Sequence, residues 1–114
     1  MKSTQHFKDS EMACKHCGVV KADQHLIAVL ELLRLRFCKP IIITSGYRCE
    51  IHNRYVGGAP KSKHIDGIAA DIQVKGIAPS LVFDFLDDTF PNCYGIGLYS
   101  SWVHIDVRQE KARW

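Results

Sequence analysis

The chain has 114 residues, the length of one domain with one core. A hydrophobic fraction of 46% and a charged fraction of 24% belong to an ordinary folded domain, and a chain of this size buries roughly two-thirds of its unfolded surface without needing a disulfide or metal to fold. The net charge of +3 suits an acidic partner, but no basic run with interleaved aromatics argues for nucleic acid, and no apolar stretch nears the roughly 20 residues of a membrane span.

Taken from the N-terminus, residues 1–10 are polar, without an apolar signal core, and are expected to be loosely ordered. They read as the start of a chain made in the cytoplasm. Cys14-Lys15-His16-Cys17-Gly18 follows, in a stretch with little periodicity. The five cysteines are odd in number and not densely spaced, which suits a reducing compartment. Residues 23–37 read as a helix. Asp23 is its N-cap, and Leu26, Val29, Leu30, Leu33 and Phe37 recur at helical spacing. Pro40 stops it. Residues 41–44, IIIT, read as a buried strand, and Ser45-Gly46-Tyr47-Arg48 turns the chain.

Residues 49–56 suit one or two helical turns, in which His52 is expected to be solvated, as is His25 in the first helix. Residues 57–67 carry the breakers Gly57, Gly58 and Pro60. Residues 68–74 alternate as a strand, and Pro79-Ser80 opens a short amphipathic helix over 79–88. Residues 94–99 and 102–107 read as two strands of a hairpin through Ser100-Ser101. The charged tail, 109–114, is expected to fray. The order predicts an α+β fold, a single domain over 1–114 with an antiparallel sheet flanked by helices.

The chemistry gathers in Ser62-Lys63-His64-Ile65-Asp66-Gly67-Ile68-Ala69-Ala70-Asp71 and in Trp102-Val103-His104-Ile105-Asp106. His64 ends a loop, and Asp71 lies in the following strand. Side chains two apart on a strand share a face, so His104 and Asp106 are presented together. Two imidazoles and a carboxylate form a common catalytic zinc set, with water in the fourth position. Arg48 follows a strand and a glycine turn, and its planar fork suits a carboxylate or a developing oxyanion.

The pattern Ser62-x-His64-x-x-Gly67-x-Ala69-x-Asp71, then His104-x-Asp106, resembles the zinc D-alanyl-D-alanine carboxypeptidases and related cell-wall endopeptidases. VanX-type dipeptidases and the hedgehog signalling domain share their fold. Ser45-Gly46-Tyr47-Arg48 with Asn53 beyond it, and Tyr94-Gly95-Ile96-Gly97-Leu98-Tyr99, resemble further blocks of that family. Together these span residues 7 to 108.

The resemblance implies one zinc on His64, Asp71 and His104, with Arg48 holding substrate or transition state. Tyr47 and Ser62 are further candidate substrate contacts, and for Ser62 a second role stands open, capping its loop. It also implies a peptidoglycan stem or cross-link peptide as substrate. Many relatives carry a Glu or Asp three residues before the last histidine as general base; here that position is Ser101. Asp106 is the remaining nearby acid, and two roles stand open for it, catalytic base or orienter of a histidine ligand. Asp66 is the next acid to consider.

The expected function is hydrolysis of cell-wall peptides by a monomer without a nucleic-acid partner. A phage or prophage lysis protein, released to the wall from the cytoplasm, fits that form. The alternative is a non-catalytic zinc-binding module of the same fold that recognises a partner, which the serine at position 101 favours; a hydrolase of another small amide is a third reading. Cys14 and Cys17 are expected to be unpaired structural thiols. A second zinc there needs two more ligands, drawn from His6, His16 or another cysteine.

Overall fold

The computed structural model describes Phe7, residues 9–59 and residues 61–114. Among them the elements run α1 (Asp9–Met12), α2 (Gln24–Phe37), β1 (Ile41–Ser45), α3 (Glu50–Tyr55), β2 (Ala69–Val74), α4 (Pro79–Thr89), β3 (Gly95–Leu98), β4 (Val103–Asp106) and β5 (Ala112–Arg113). The expectation for residues 1–6 lies outside the described residues.

The five strands form one sheet in the order β1-β2-β4-β3-β5. β1 to β4 pair antiparallel, as the alternation predicted, and the class is α+β. The sheet is mixed, however, because β5 lies parallel to β3, pairing Gly95 with Ala112 and Ile96 with Arg113. The tail is therefore not frayed. Leu98 N donates to Trp114 O at 2.7 Å, and the Arg113 guanidinium reaches Asp87 Oδ1 at 2.7 Å and the carbonyls of Phe90 and Tyr94. Charge suggested solvation; the last residues use it to bind the edge strand and α4 instead.

Period-two alternation separates the two faces of the sheet. Ala70, Ile72, Ile96, Val103 and Ile105 point to one face and join the core with Leu26, Leu30 and Leu33 of α2 and Val82 and Leu86 of α4. α2 begins where Asp23 accepts the His25 N–H at 2.7 Å, and it ends at Cys38, in the left-handed region at φ 55°, whose N–H reaches Arg34 O. The opposite face carries Ala69, Asp71, His104 and Asp106. In register, Asp71 lies opposite His104, which lies opposite Gly97; Ala69 lies opposite Asp106, which lies opposite Gly95. Asp106 thus has a small residue beside it on both neighbouring strands, and His104 has one on β3. Among the described residues, no helix is long and apolar enough to cross a membrane.

Candidate active site

His64 reaches this face from the turn before β2. Gly67 sits at φ +74°, a conformation L side chains rarely adopt, and a Cβ there would stand 2.8 Å from the Lys21 carbonyl oxygen. The turn therefore folds tightly against the chain entering α2. Arg48 N donates to His64 O at 3.2 Å, which ties the turn to the loop after β1.

Both imidazoles are held through an outer ring nitrogen. His64 is 1% exposed. Its Nδ1–H donates to the Gly46 carbonyl at 2.7 Å, so Nε2 carries the lone pair. That Nε2 is buried and makes no hydrogen bond, although Asp71 Oδ1 stands 3.3 Å away. His104 is arranged the other way round. Its Nε2 lies 2.8 Å from Asp106 Oδ2 and its Nδ1 3.0 Å from Asp71 Oδ1, so a carboxylate faces each ring nitrogen; with the Nε2 proton given to Asp106, Nδ1 is the atom that could bind a metal.

One donor atom from each of His64, Asp71 and His104 lies within 4.8 Å of the other two. Zinc bonds of about 2.0–2.1 Å at tetrahedral angles separate ligand atoms by roughly 3.3 Å. The two contacts to Asp71 match that separation, and an orphaned buried nitrogen aimed at a carboxylate oxygen is what a missing cation leaves behind. The residues fit zinc. Burial pushes the Asp71 carboxyl up, but His104 and His64 beside it outweigh this and hold it below the usual carboxylate range, as a ligand requires.

Asp106 is fully buried and does not line the cleft. Besides His104, its carboxylate accepts from Arg108 Nη2 at 2.7 Å, Arg108 Nε at 2.7 Å and Arg108 N at 3.2 Å. Every oxygen lobe is thus committed. Gly95 leaves room for this pair: a Cβ there would meet Asp106 Oδ2 at 2.5 Å and Arg108 Nε at 2.6 Å. Gly95→Ala is therefore expected to destabilise the protein by ~1–3 kcal/mol, since the buried ion pair cannot retreat. A lower denaturant midpoint at unchanged slope checks it.

The cleft above His64, Asp71 and His104 has a volume of about 380 Å³. Arg48, Lys61, Lys63 and Arg108 make its lining basic. Tyr99 and Trp102 stack at 4.5 Å, and Trp114 lies 5.0 Å from the His104 ring and donates its indole N–H to Tyr99 Oη at 2.8 Å. Arg48 is half-buried; its Nη2 approaches Ser62 Oγ at 3.4 Å, and its Nε has no partner. Asn53, 1% exposed, braces the loop beside it by donating to Ala59 O at 2.7 Å.

Of the residues singled out in the sequence, His64, Asp71, His104, Arg48 and Ser62 line the cleft together. Tyr47 does not; Lys21 Nζ lies 6.0 Å over its ring instead. Asp66 is exposed and does not line it either. Ser101 sits over the far end of β2, where its carbonyl accepts from Gln73 Nε2 at 3.0 Å. Sequence reasoning missed Arg108 and the aromatic wall. Arg108 was within reach, because it follows Asp106 at the same two-residue step that joins Asp106 to His104. Trp114 gave no signal.

A protein-family model described as peptidase M15 matches residues 5–106. The chain belongs to the M15 peptidase family. Membership covers nearly the whole chain and makes it one of a family of zinc-dependent peptidases. No curated protein matches the sequence.

Proposed function

We propose that this M15 domain holds one zinc ion on His64, Asp71 and His104 and hydrolyses a peptide bond of bacterial cell-wall peptidoglycan, as a D-Ala-D-Ala carboxypeptidase or an endopeptidase. The observation that carries this reading is the convergence of two imidazole nitrogens and a carboxylate oxygen at the floor of an open cleft, each imidazole held from behind through its other nitrogen. Zinc bound there supplies a Lewis acid for the carbonyl and a water of lowered pKa.

The chain's own residues bind and orient the peptide. Lys61 and Lys63 draw an acidic wall peptide to the cleft. Arg48, which lines the cleft, offers its guanidinium to a substrate carboxylate or to charge that develops on the carbonyl oxygen. Tyr99, Trp102 and Trp114 form the apolar wall that limits water. Asp106, through its bond to His104, orients a ligand. The site of action is the cell wall, and release during phage-type lysis is the route we favour.

Digestion of purified peptidoglycan tests the reading. New amino termini or released D-alanine should accumulate, stop on chelation and resume with zinc. Arg48→Lys keeps the charge but loses the fork, so activity should fall by about tenfold or more if the contact is bidentate. Equal rates would assign Arg48 to the loop's structure.

One observation favours a second reading, a zinc-binding module that recognises a partner without hydrolysing it. Among the described residues, the only carboxylate lining the cleft is Asp71, a ligand. A zinc-loaded protein that binds wall peptide and releases nothing would establish that reading.

A further inference from the structure

A second cluster of metal-binding side chains lies apart from the cleft ligands. Cys14 to Gly18 form a tight turn, in which Gly18 N donates to Cys14 O and Cys14 N to Val19 O, both at 2.8 Å, while Ala13 and Val20 bridge beyond it. Gly18 takes φ +74°, which closes the turn. Cys49, 35 residues on from Cys14, caps α3 directly after Arg48. The sulfurs of Cys14, Cys17 and Cys49 all lie within 4.8 Å of one another, and none is in a disulfide.

Backbone N–H groups face two of the sulfurs. The Cys49 N–H points at Cys14 Sγ, and the His52 N–H at Cys49 Sγ, each at 3.4 Å. Three sulfurs this close, outside any disulfide, form a soft donor set of the kind zinc takes. An imidazole is also at hand. His16 Nδ1 is 3.7 Å from Cys49 Sγ, and its ring stacks on that of His52, with centroids 6.4 Å apart. Zinc bonds of about 2.3 Å to sulfur and 2.0–2.1 Å to nitrogen put such a pair roughly 3.6 Å apart.

We propose that Cys14, Cys17 and Cys49 hold a second, structural zinc ion, its fourth position closed by His16 or His52. Cys49-x-x-His52 repeats the spacing of Cys14-x-x-Cys17. On this reading the cysteines are ligands and not the unpaired thiols expected from the sequence, because topology supplies a third sulfur that no local spacing revealed. This metal clips the N-terminal segment to the loop that serves the cleft. In that loop Gly46 holds His64, Tyr47 N donates to Met12 O at 3.0 Å, and Arg48 reaches the substrate side. The inference is independent of the peptidase reading.

Elemental analysis of protein made with zinc under reducing conditions should find two equivalents per chain. Both His64→Ala and Cys49→Ser should retain one, and the double variant none. Cobalt loaded into His64→Ala should show thiolate-to-metal charge-transfer absorption. That measurement leaves the cysteines intact, so it decides the matter even if Cys49→Ser does not fold. A single equivalent in both wild type and Cys49→Ser, or cobalt without the thiolate band in His64→Ala, overturns the site. A shifted cobalt spectrum in His16→Ala or His52→Ala names the fourth ligand; an unchanged spectrum in the double variant overturns the imidazole.

Discussion

His64→Ala should release one equivalent of zinc and reduce peptidase activity to that of chelator-treated wild type. The substitution removes Nε2, the nitrogen that is buried without a hydrogen bond. Asp71 and His104 remain, and two protein ligands rarely hold zinc against water and chelator. The variant carries a second effect. The Gly46 carbonyl loses its donor, and a buried acceptor left unsatisfied costs ~1–3 kcal/mol. Lower stability alone therefore does not establish a metal role. Zinc content and activity must fall together, in protein whose near-ultraviolet circular dichroism stays native. Full zinc content with full activity in His64→Ala would remove His64 from the site.

Local pattern carried much of this molecule. The apolar spacing of Leu26, Leu30 and Leu33 and the alternation through Ala70, Ile72, Val103 and Ile105 are each local, and they placed α2, β2 and β4 within a residue or two. The cleft's floor was legible for the same reason: strand parity puts Asp71, His104 and Asp106 on faces that can be worked out from the chain alone. What stayed hidden depends on contacts between distant segments. The parallel pairing of β5 rests on edge hydrogen bonds that a tail of charged residues does not announce. Tyr47 and Arg48 are neighbours in one turn, yet only Arg48 lines the cleft, because adjacent side chains diverge. Cys49 meets Cys14 and Cys17 only once α1 packs on β1.

Asp106→Asn should weaken zinc binding by ~10- to 100-fold while leaving the rate at saturating zinc within a few-fold of wild type. A general base needs a free lone pair near the water it deprotonates. Asp106 has none. One oxygen accepts from His104 Nε2 and Arg108 Nη2, the other from Arg108 Nε and N, and the group is 0% exposed. Burial pushes its carboxyl up, but His104 and Arg108 outweigh that and hold it below the usual carboxylate range, which makes it a weak proton acceptor. Its contact with His104 suits something else: a proton held on Nε2 by Asp106 would leave Nδ1 free for metal. In Asp106→Asn, one amide oxygen must serve both His104 and Arg108, and the amide nitrogen opposes a guanidinium donor. His104 then loses the constraint on its tautomer, and the proton can move to Nδ1, where it blocks the metal. Added zinc should restore activity. The measurement that decides is the rate of wall digestion across a zinc titration. A fall of at least ~10²-fold in kcat with zinc fully bound would instead make Asp106 the base, reached through a rearrangement of Arg108 on substrate binding.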